Sequence, residues 1–373
     1  MLNMLSRIIY PKEMVIKKGS LIRIKFLIGK KAAILIGRDS LQKSEYLQKI
    51  EKYLSTSKIE YFVIKGISGD PCEKSILEIS HQLNEIKPDW VIGVGGGSVM
   101  DTAKLAWSLY ENPKMSLLKF QTPFSTPELR KKAKLCLIPT TSGTGSEVTN
   151  SALVTLKGIK TPIISNCFIP DIVILDPNLT LNLPNKVTAS TGIDAFSHGL
   201  ESYCSTLSNS LTKVYAVAGA KLIFENLKKA LLDPEDIITK EKLLYGSMLS
   251  GLAQGATSVG GVHAMSHSLS SNISLPHGHL NALFIIPILK FNIIESDSVT
   301  KFLKEMSIND INVLDKWISE IMQICKLNNR WGNFSRDFNL DDMSQNIVND
   351  ICARTNPRKL TVEGIKSILE ETR

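Results

Sequence analysis

Residues 90–101 read Trp-Val-Ile-Gly-Val-Gly-Gly-Gly-Ser-Val-Met-Asp. An apolar, β-branched run passes into three consecutive glycines and then into a segment with helical spacing. Glycines at 95, 96 and 97 leave backbone N–H groups bare, so an anion can approach them closely. The helix that follows adds the positive end of its dipole. A plain strand-to-helix turn is the competing reading, but three adjacent glycines between such a strand and such a helix favour an anion site. The stretch predicts a phosphate cradle, with Gly95, Gly96, Gly97, Ser98 and Asp101 as candidate cofactor-binding residues. It is not the GxGxxG fingerprint, because Gly93 and Gly95–Gly97 are spaced differently.

Working outward, the runs Ala32–Ile36, Tyr61–Ile64, Leu135–Ile138 and Ile172–Leu175 share the texture of Trp90–Val94. Leu47, Ile50 and Leu54 recur at helical steps between the first two runs, and Ile76, Ile79, Leu83 and Ile86 do so ahead of Trp90. Strands alternating with helices predict a largely parallel sheet covered by helices. The loop Pro139–Glu147 follows one of these strands and carries hydroxyls at Thr140, Thr141, Ser142, Thr144 and Ser146 among two glycines. Ordinary polar loops use the same residues. Two such loops after two neighbouring strands point instead to one nucleotide touching both.

After Leu175-Asp176-Pro177 the texture changes, and from about residue 186 onward the segments are helix-like with few strand candidates. Leu183-Pro184 reads as a hinge, since Pro184 restricts the residue before it. The expected fold is an α/β dinucleotide-binding domain at 1–182 followed by an all-α domain at 183–373. The active site is expected in the cleft between the halves, beside the ends of the parallel strands. A chain of 373 residues suits two cores, and 43% hydrophobic with 21% charged residues is the composition of a soluble globular protein.

Several function classes recede on composition. No stretch approaches the ~20 apolar residues of a membrane helix. The N-terminal segment is broken by Arg7, Lys12 and Lys17 and lacks the apolar region of a secretory signal. No membrane partner and a cytoplasmic location are therefore expected. The net charge of +8 comes from lysines spread through helix-like segments, without a basic block carrying aromatics, so no nucleic acid partner is expected. Six cysteines at 72, 136, 167, 204, 325 and 352 form no CxxC pair. They read as buried, inert thiols, neither a cysteine-based zinc site nor a disulfide framework.

Five of the six histidines, 198, 263, 267, 277 and 279, fall in one window. Asp194 and His198 stand at i and i+4, on one face of a helix, and His263 and His267 repeat that spacing. One aspartate and three histidines would make a compact nitrogen and oxygen site for Fe2+, Zn2+ or another divalent ion. A single histidine more often packs in a core or on a surface; two helical pairs in one window argue for a site.

Taken together, GVGGGSVMDTAK at 93–104, IPTTSGTGSEVT at 138–149, PDIVILDPNLT at 170–180, TGIDAFSHGLESY at 191–203, VHAMSHSL at 262–269 and PHGHLNA at 276–282 resemble the iron-dependent (group III) alcohol dehydrogenase family. Thr355-Asn356-Pro357-Arg358 resembles a further family segment. The matches run in family order over most of the chain.

The resemblance implies a Rossmann-like N-terminal domain and a helical, metal-binding C-terminal domain. It implies that Asp194, His198, His263 and His277 are the metal ligands and that His267 is a nearby non-ligand histidine with a role in proton relay. The Gly95–Ser98 loop matches the pyrophosphate binder, Thr140 and Thr141 match adenine and ribose contacts, and Lys160 matches a lysine near the nicotinamide. Thr144 belongs to the same hydroxyl-rich loop and is a further cofactor candidate. His279, two residues past the last implied ligand, is expected at the surface or behind the ligands. The implied activity is an NAD- or NADP-linked alcohol dehydrogenase or aldehyde reductase acting on a small alcohol or aldehyde, as a homodimer or larger homo-oligomer.

Other readings compete. A polyol or phosphorylated-polyol dehydrogenase of the glycerol dehydrogenase and dehydroquinate synthase-like superfamily shares the cradle and the metal logic. A catalytically silent nucleotide-binding protein would not need all four ligand candidates and His267. The run Ala253-Gln254-Gly255-Ala256-Thr257-Ser258 departs from the Phe-Asn-Asn-like run many relatives carry there, and its smaller, more polar side chains hint at a hydroxylated or anionic aldehyde. Cofactor choice turns on Gly37-Arg38-Asp39-Ser40-Leu41, where many relatives place an acid against the ribose 2′-hydroxyl. Alignment on Leu41 puts Arg38 there, beside Gly37, and favours NADP; a slide by one residue puts Asp39 there and favours NAD. The reading leans to NADP.

Overall fold

The computed structural model describes residues 8–38, 44–67, 69, 71–156, 159–270, 273, 275–332 and 339–373. It divides into two compact units, one of residues Ile9–Thr141 with Ser146–Leu181, the other of Asn182–Arg373 with Ile8 and the short stretch Ser142–Gly145.

The first unit is α/β. In chain order it contains β1 (Glu13–Ile16), β2 (Lys31–Gly37), α1 (Glu45–Thr56), β3 (Glu60–Ile67), α2 (Glu73–Ile86), β4 (Trp90–Gly95), α3 (Gly97–Glu111), β5 (Lys134–Pro139), β6 (Ser151–Leu156), β7 (Ile159–Ile164) and β8 (Ile172–Leu175). Six strands form a parallel sheet in the order β1-β8-β5-β4-β2-β3, while β6 and β7 form a separate antiparallel hairpin. The central strand β4 is buried along its whole length. Side chains alternate across the strands into two cores. Ala33, Leu35, Val91, Leu135 and Leu137 join α2 and α3 on one face; Ala32, Ile34, Ile92, Val94 and Ile138 join α1 on the other. Apolar runs without polar alternation are what a sheet covered on both faces requires.

This order contains one reversal of direction. From β2 the chain crosses to β3 on one side, then returns through α2 to β4 on the other side of β2. The carboxyl ends of β2 and β4 therefore flank a reversal of strand order, where parallel sheets open a crevice for ligands. β1 and the β6–β7 hairpin went unread in the sequence. β1 is a four-residue, half-buried edge strand with a weak pattern. β6 did carry the signal of a half-covered strand, with Ala152, Val154 and Leu156 buried in alternation.

The second unit is helical: α4 (Asn185–Cys204), α5 (Ser210–Leu232), α6 (Ile237–Thr257), α7 (Gly261–Ser270), α8 (His277–Ile293), α9 (Ser298–Glu305), α10 (Ile311–Ile324), α11 (Leu340–Asn349) and α12 (Val362–Thr372). Side chains of Asn209, Asp236, Asp310, Asn339 and Thr361 accept backbone N–H groups at five of the helix starts, the local signal that begins a helix. α4 packs against α5, α6 and α8, and every residue from Gly192 to Cys204 is buried. A helix buried all round is hydrophobic on every face unless its polar residues have work inside the protein. α4 places Asp194, His198 and Glu201 in that interior.

Four of the cysteines are buried, but Cys72 is exposed and Cys167 half-buried, which corrects the expectation of six buried thiols. Among the described residues, no helix is long and apolar enough to cross a membrane.

Candidate metal centre and cofactor cradle

Three helices bring the ligand candidates together. Asp194, His198 and Glu201 follow one another at i, i+4 and i+7 on α4, so they share a face. His263 and His267 repeat the spacing on α7, and His277 is the first residue of α8. Nε2 of His263 lies 3.4 Å from Asp194 Oδ1, and Nε2 of His198 and of His277 lie 3.6 Å from the same oxygen. His198 and His263 stack with ring centroids 4.7 Å apart, and His263 and His277 stand 5.2 Å apart. Donor atoms of Asp194, His263 and His277 all lie within 4.8 Å of one another. His198 closes on Asp194 but is not part of that group.

These spacings suit an ion better than they suit hydrogen bonds. Donors around a tetrahedral ion with bonds of about 2.1 Å stand about 3.4 Å apart. Hydrogen bonds to a carboxylate are shorter, at about 2.7–2.9 Å. Nε2 of His263 is buried and makes no hydrogen bond. The site opens to solvent at His277, whose side chain is 26% exposed, against 3% for His263.

The electrostatics follow from burial. Desolvation pushes His198 down to about 4, leaving a neutral ring with a free lone pair at ordinary pH. Burial would raise Asp194, but His198, His263 and His277 around it outweigh that and hold its carboxyl well below the usual range. His263 moves the other way. Burial opposes its charge, yet Glu201 and Asp194 on its two sides push it up.

Glu201 and Asn281 were not singled out in the sequence. Glu201 Oε2 faces Nδ1 of His263, and Asn281 Nδ2 donates to Asp194 Oδ1 at 2.9 Å. Both were reachable by helical spacing: Glu201 is one turn past His198, and Asn281 one turn past His277. His267 packs beside the candidate ligands, its ring centroid 5.9 Å from that of His263. Its Nδ1 lies 3.4 Å from Asp350 Oδ2 and 3.8 Å from Cys352 Sγ, and its ring stacks on His277 at 5.3 Å. Asp350 and Cys352 come from the far end of the chain and left no local signal. His279 is buried, its Nε2 2.6 Å from the Asn328 carbonyl, so the surface half of its expectation is corrected. Residues two apart on a helix point about 200° from each other, which sends His279 away from the side His277 faces.

The cradle assembles within the α/β unit. Gly95 ends β4, Gly96 precedes α3, and no side chain caps that helix. A β-carbon at Gly95 would lie 2.6 Å from Val99, so only glycine lets the strand turn this tightly into the helix. Thr140 N–H donates to the Gly95 carbonyl at 3.0 Å, setting the Thr140-Thr141 loop beside the glycines. Gly37 ends β2 close to Val99, and Arg38 beyond it is exposed. Asp39 and Leu41, on which the alternative cofactor alignment rests, lie outside the described residues.

Asp101 already has partners for both oxygens: Ser146 Oγ donates to one at 2.5 Å and Leu153 N–H to the other at 3.0 Å. One turn on, the fully buried Lys104 donates to Ser146 Oγ, Thr149 O and Ser151 O at 3.2, 2.9 and 2.8 Å. Burial lowers Lys104 to about 8, against the pull of Asp101 and Glu147. Lys160 on β7 is half-buried and acts electrostatically on Asp101. Thr144 belongs to the stretch that clusters with the helical unit, and its carbonyl accepts Gln254 Nε2 at 2.7 Å. Thr257 Oγ1 likewise donates to the Ala253 carbonyl. Within the 253–258 run, Gln254 and Thr257 thus make hydrogen bonds inside the protein.

Comparison with known proteins follows the same division. The model of the iron-containing alcohol dehydrogenase family matches residues 11–177, and that of the C-terminal part of the family matches residues 188–372. The chain is 32% identical over 378 residues to an NADPH-dependent butanol dehydrogenase of Clostridium saccharobutylicum, covering 98% of this chain and 97% of that one. It is 30% identical over 373 residues to a 1-propanol dehydrogenase of Citrobacter freundii, covering 95% and 96%. The solved alcohol dehydrogenase of Oenococcus oeni superposes with a TM-score of 0.90 at 27% identity, covering 98% of this chain and all of that one. Fold and relatives define an oxidoreductase acting on alcohols, an NAD(P)-linked alcohol dehydrogenase or aldehyde reductase. The chain belongs to the iron-containing alcohol dehydrogenase family.

Proposed function

We propose that the protein interconverts a short-chain alcohol and its aldehyde, using NADP(H) and one divalent ion per chain held by Asp194, His198, His263 and His277. The observation that carries the reading is the convergence of three imidazole nitrogens on one buried carboxylate oxygen at 3.4–3.6 Å. When bound there, a divalent ion, Fe2+ by the family's description, supplies Lewis acidity toward the substrate oxygen. The nicotinamide supplies the hydride acceptor or donor.

The chain's own residues bind and move protons. Gly95, Gly96, Gly97 and Ser98 offer backbone N–H groups to the pyrophosphate, and Thr140, Thr141 and Thr144 offer hydroxyls to the nucleotide. Lys160 takes the nicotinamide end. Asp101 acts on the cofactor through the loop it holds, since its own oxygens are engaged. Arg38 pairs with the 2′-phosphate, with Gly37 leaving room; the named NADPH dependence of the Clostridium relative supports this choice. His267 takes the hydroxyl proton in oxidation and returns it in reduction, its Nδ1 directed to Asp350 and its Nε2 left for the substrate.

Fe2+ is the working ion in this reading, with Zn2+ able to occupy the same donors because it binds nitrogen and oxygen sites more tightly. A homodimer or larger assembly and a cytoplasmic location complete the proposal. Six thiols with no disulfide among them support a reducing compartment. The test is to strip the protein with chelator, reload it anaerobically with Fe2+ or Zn2+, and assay three- and four-carbon alcohols and aldehydes with both cofactors. Full activity in protein shown to be metal-free by elemental analysis would overturn the reading.

A further inference from the structure

Glu201 divides its two oxygens between two groups at the start of α7. Oε1 accepts the Val262 N–H at 2.7 Å, and Oε2 faces Nδ1 of His263. The preceding N–H, of Gly261, goes to Asn356 Oδ1 at 3.0 Å. The first turn of α7 is therefore satisfied by side chains brought from α4 and from the C-terminal segment. The Glu201 side chain is buried, and with Oε1 tied to the backbone it cannot rotate away from the ring.

We propose that Glu201 is a positioning residue of the metal centre, accepting the Nδ1 proton of His263 so that the lone pair of Nε2 faces the Asp194 cluster. The proposal rests on the reading that Asp194, His198, His263 and His277 hold the ion. A neutral imidazole carries one N–H, and a carboxylate has none to offer, so Nδ1 must donate and Nε2 must be the ligand atom. An acid behind a metal-bound histidine both orients the ring and raises its basicity as a ligand.

Glutamine at 201 matches glutamate in shape but cannot serve both partners. If its oxygen accepts Val262 N–H, its amide faces Nδ1 and favours the tautomer with the proton on Nε2. If its oxygen turns to His263, two donors meet at Val262.

The experiment measures Zn2+ dissociation constants by competition with a chromophoric chelator, alongside thermal melting of the metal-free proteins. Wild type is expected to bind one Zn2+ per chain and Glu201→Gln to bind it about 10- to 100-fold more weakly. Asn356→Ala, which removes the neighbouring cap at Gly261 but leaves His263 alone, is expected to stay within about threefold of wild type. A lowered melting temperature in Glu201→Gln with an unchanged Zn2+ constant would show a helix cap and nothing more, and would overturn the proposal. Wild type binding no stoichiometric Zn2+, or His277→Ala retaining it, would sink the metal-centre reading instead. Nitrogen-15 imidazole spectra of zinc-loaded wild type need no variant at all: a proton on Nδ1 of His263 supports the assignment, and zinc on Nδ1 defeats it.

Discussion

Gly278 runs so close to Ser190 that a β-carbon at 278 would lie 1.8 Å from the Ser190 carbonyl oxygen. That approach presses the first turn of α8 onto α4 and sets His277 beside Asp194, one turn away from Ser190. Gly278→Ala must push the helices apart, at a cost of about 1–3 kcal/mol or more. Calorimetry is expected to show the lower melting temperature, and elemental analysis a sub-stoichiometric ion. Wild-type metal content and melting temperature in this variant would show that α8 seats His277 by some other means.

His277→Ala removes one of the imidazoles converging on Asp194. Metal occupancy is expected to fall while NADPH binding, followed by fluorescence titration, stays within about threefold of wild type, because the glycine cradle draws on residues of the α/β unit. Loss of both together would mean that the variant is misfolded or that the cofactor depends on the ion.

His267 faces Asp350 and Cys352, not the Asp194 oxygen. His267→Ala is therefore expected to keep a full complement of metal while kcat falls by about 10²–10⁴, the usual loss when acid–base help is removed. Metal loss in step with activity would make His267 a ligand.

Arg38 stands exposed immediately after β2, next to Gly37, which lies close to Val99 of α3. Arg38→Ala is expected to raise KM for NADPH at least tenfold with little change for NADH, since the pair it makes exists only with the 2′-phosphate. A wild-type preference for NADH above about 100-fold, about 2.7 kcal/mol, would put the choice on Asp39 instead.

Asp171 ties the strand ends of the sheet together. It meets Lys12 at 2.6 Å and Arg130 at 3.0 Å, and accepts the Leu135 N–H at 3.0 Å. Burial would raise its pKa, but Lys12, Leu135 and Arg130 outweigh that and lower it. A folded pKa below the unfolded value of about 3.9 gives stability that is full above that pH and fades as pH falls toward the folded value. Asp171→Asn is expected to cost about 1–3 kcal/mol at pH 7, below the usual figure for a buried pair because Lys12 is largely exposed. Urea midpoints at pH 7, 5 and 3 are expected to show the same gap at the first two and a smaller one at the third. A gap independent of pH would mean the carboxylate charge is not what stabilises.

The parts of this protein that were legible in the sequence depend on neighbours along the chain. The strands β2, β3, β4, β5 and β8, the glycine turn at 95–97 and the pairs Asp194/His198 and His263/His267 all follow from local periodicity or local backbone geometry. Glu201 and Asn281 obeyed the same spacing rule, one helical turn from candidates already in hand. They passed unread because a glutamate or an asparagine on a helix is ordinarily a surface residue, and only burial tells otherwise.

Tertiary packing decided the rest. A single sequence does not say that α4 is enclosed on all sides, that Gly278 lets α8 approach it, or that Asp350 and Cys352 return to His267 across more than eighty residues. The same packing engaged Asp101 with Ser146 and Leu153 and buried His279 against Asn328. Helical spacing states which side chains share a face; which faces meet is set by the volumes and close approaches of residues far apart in the chain, and it is that meeting that gathers three imidazoles around one carboxylate oxygen.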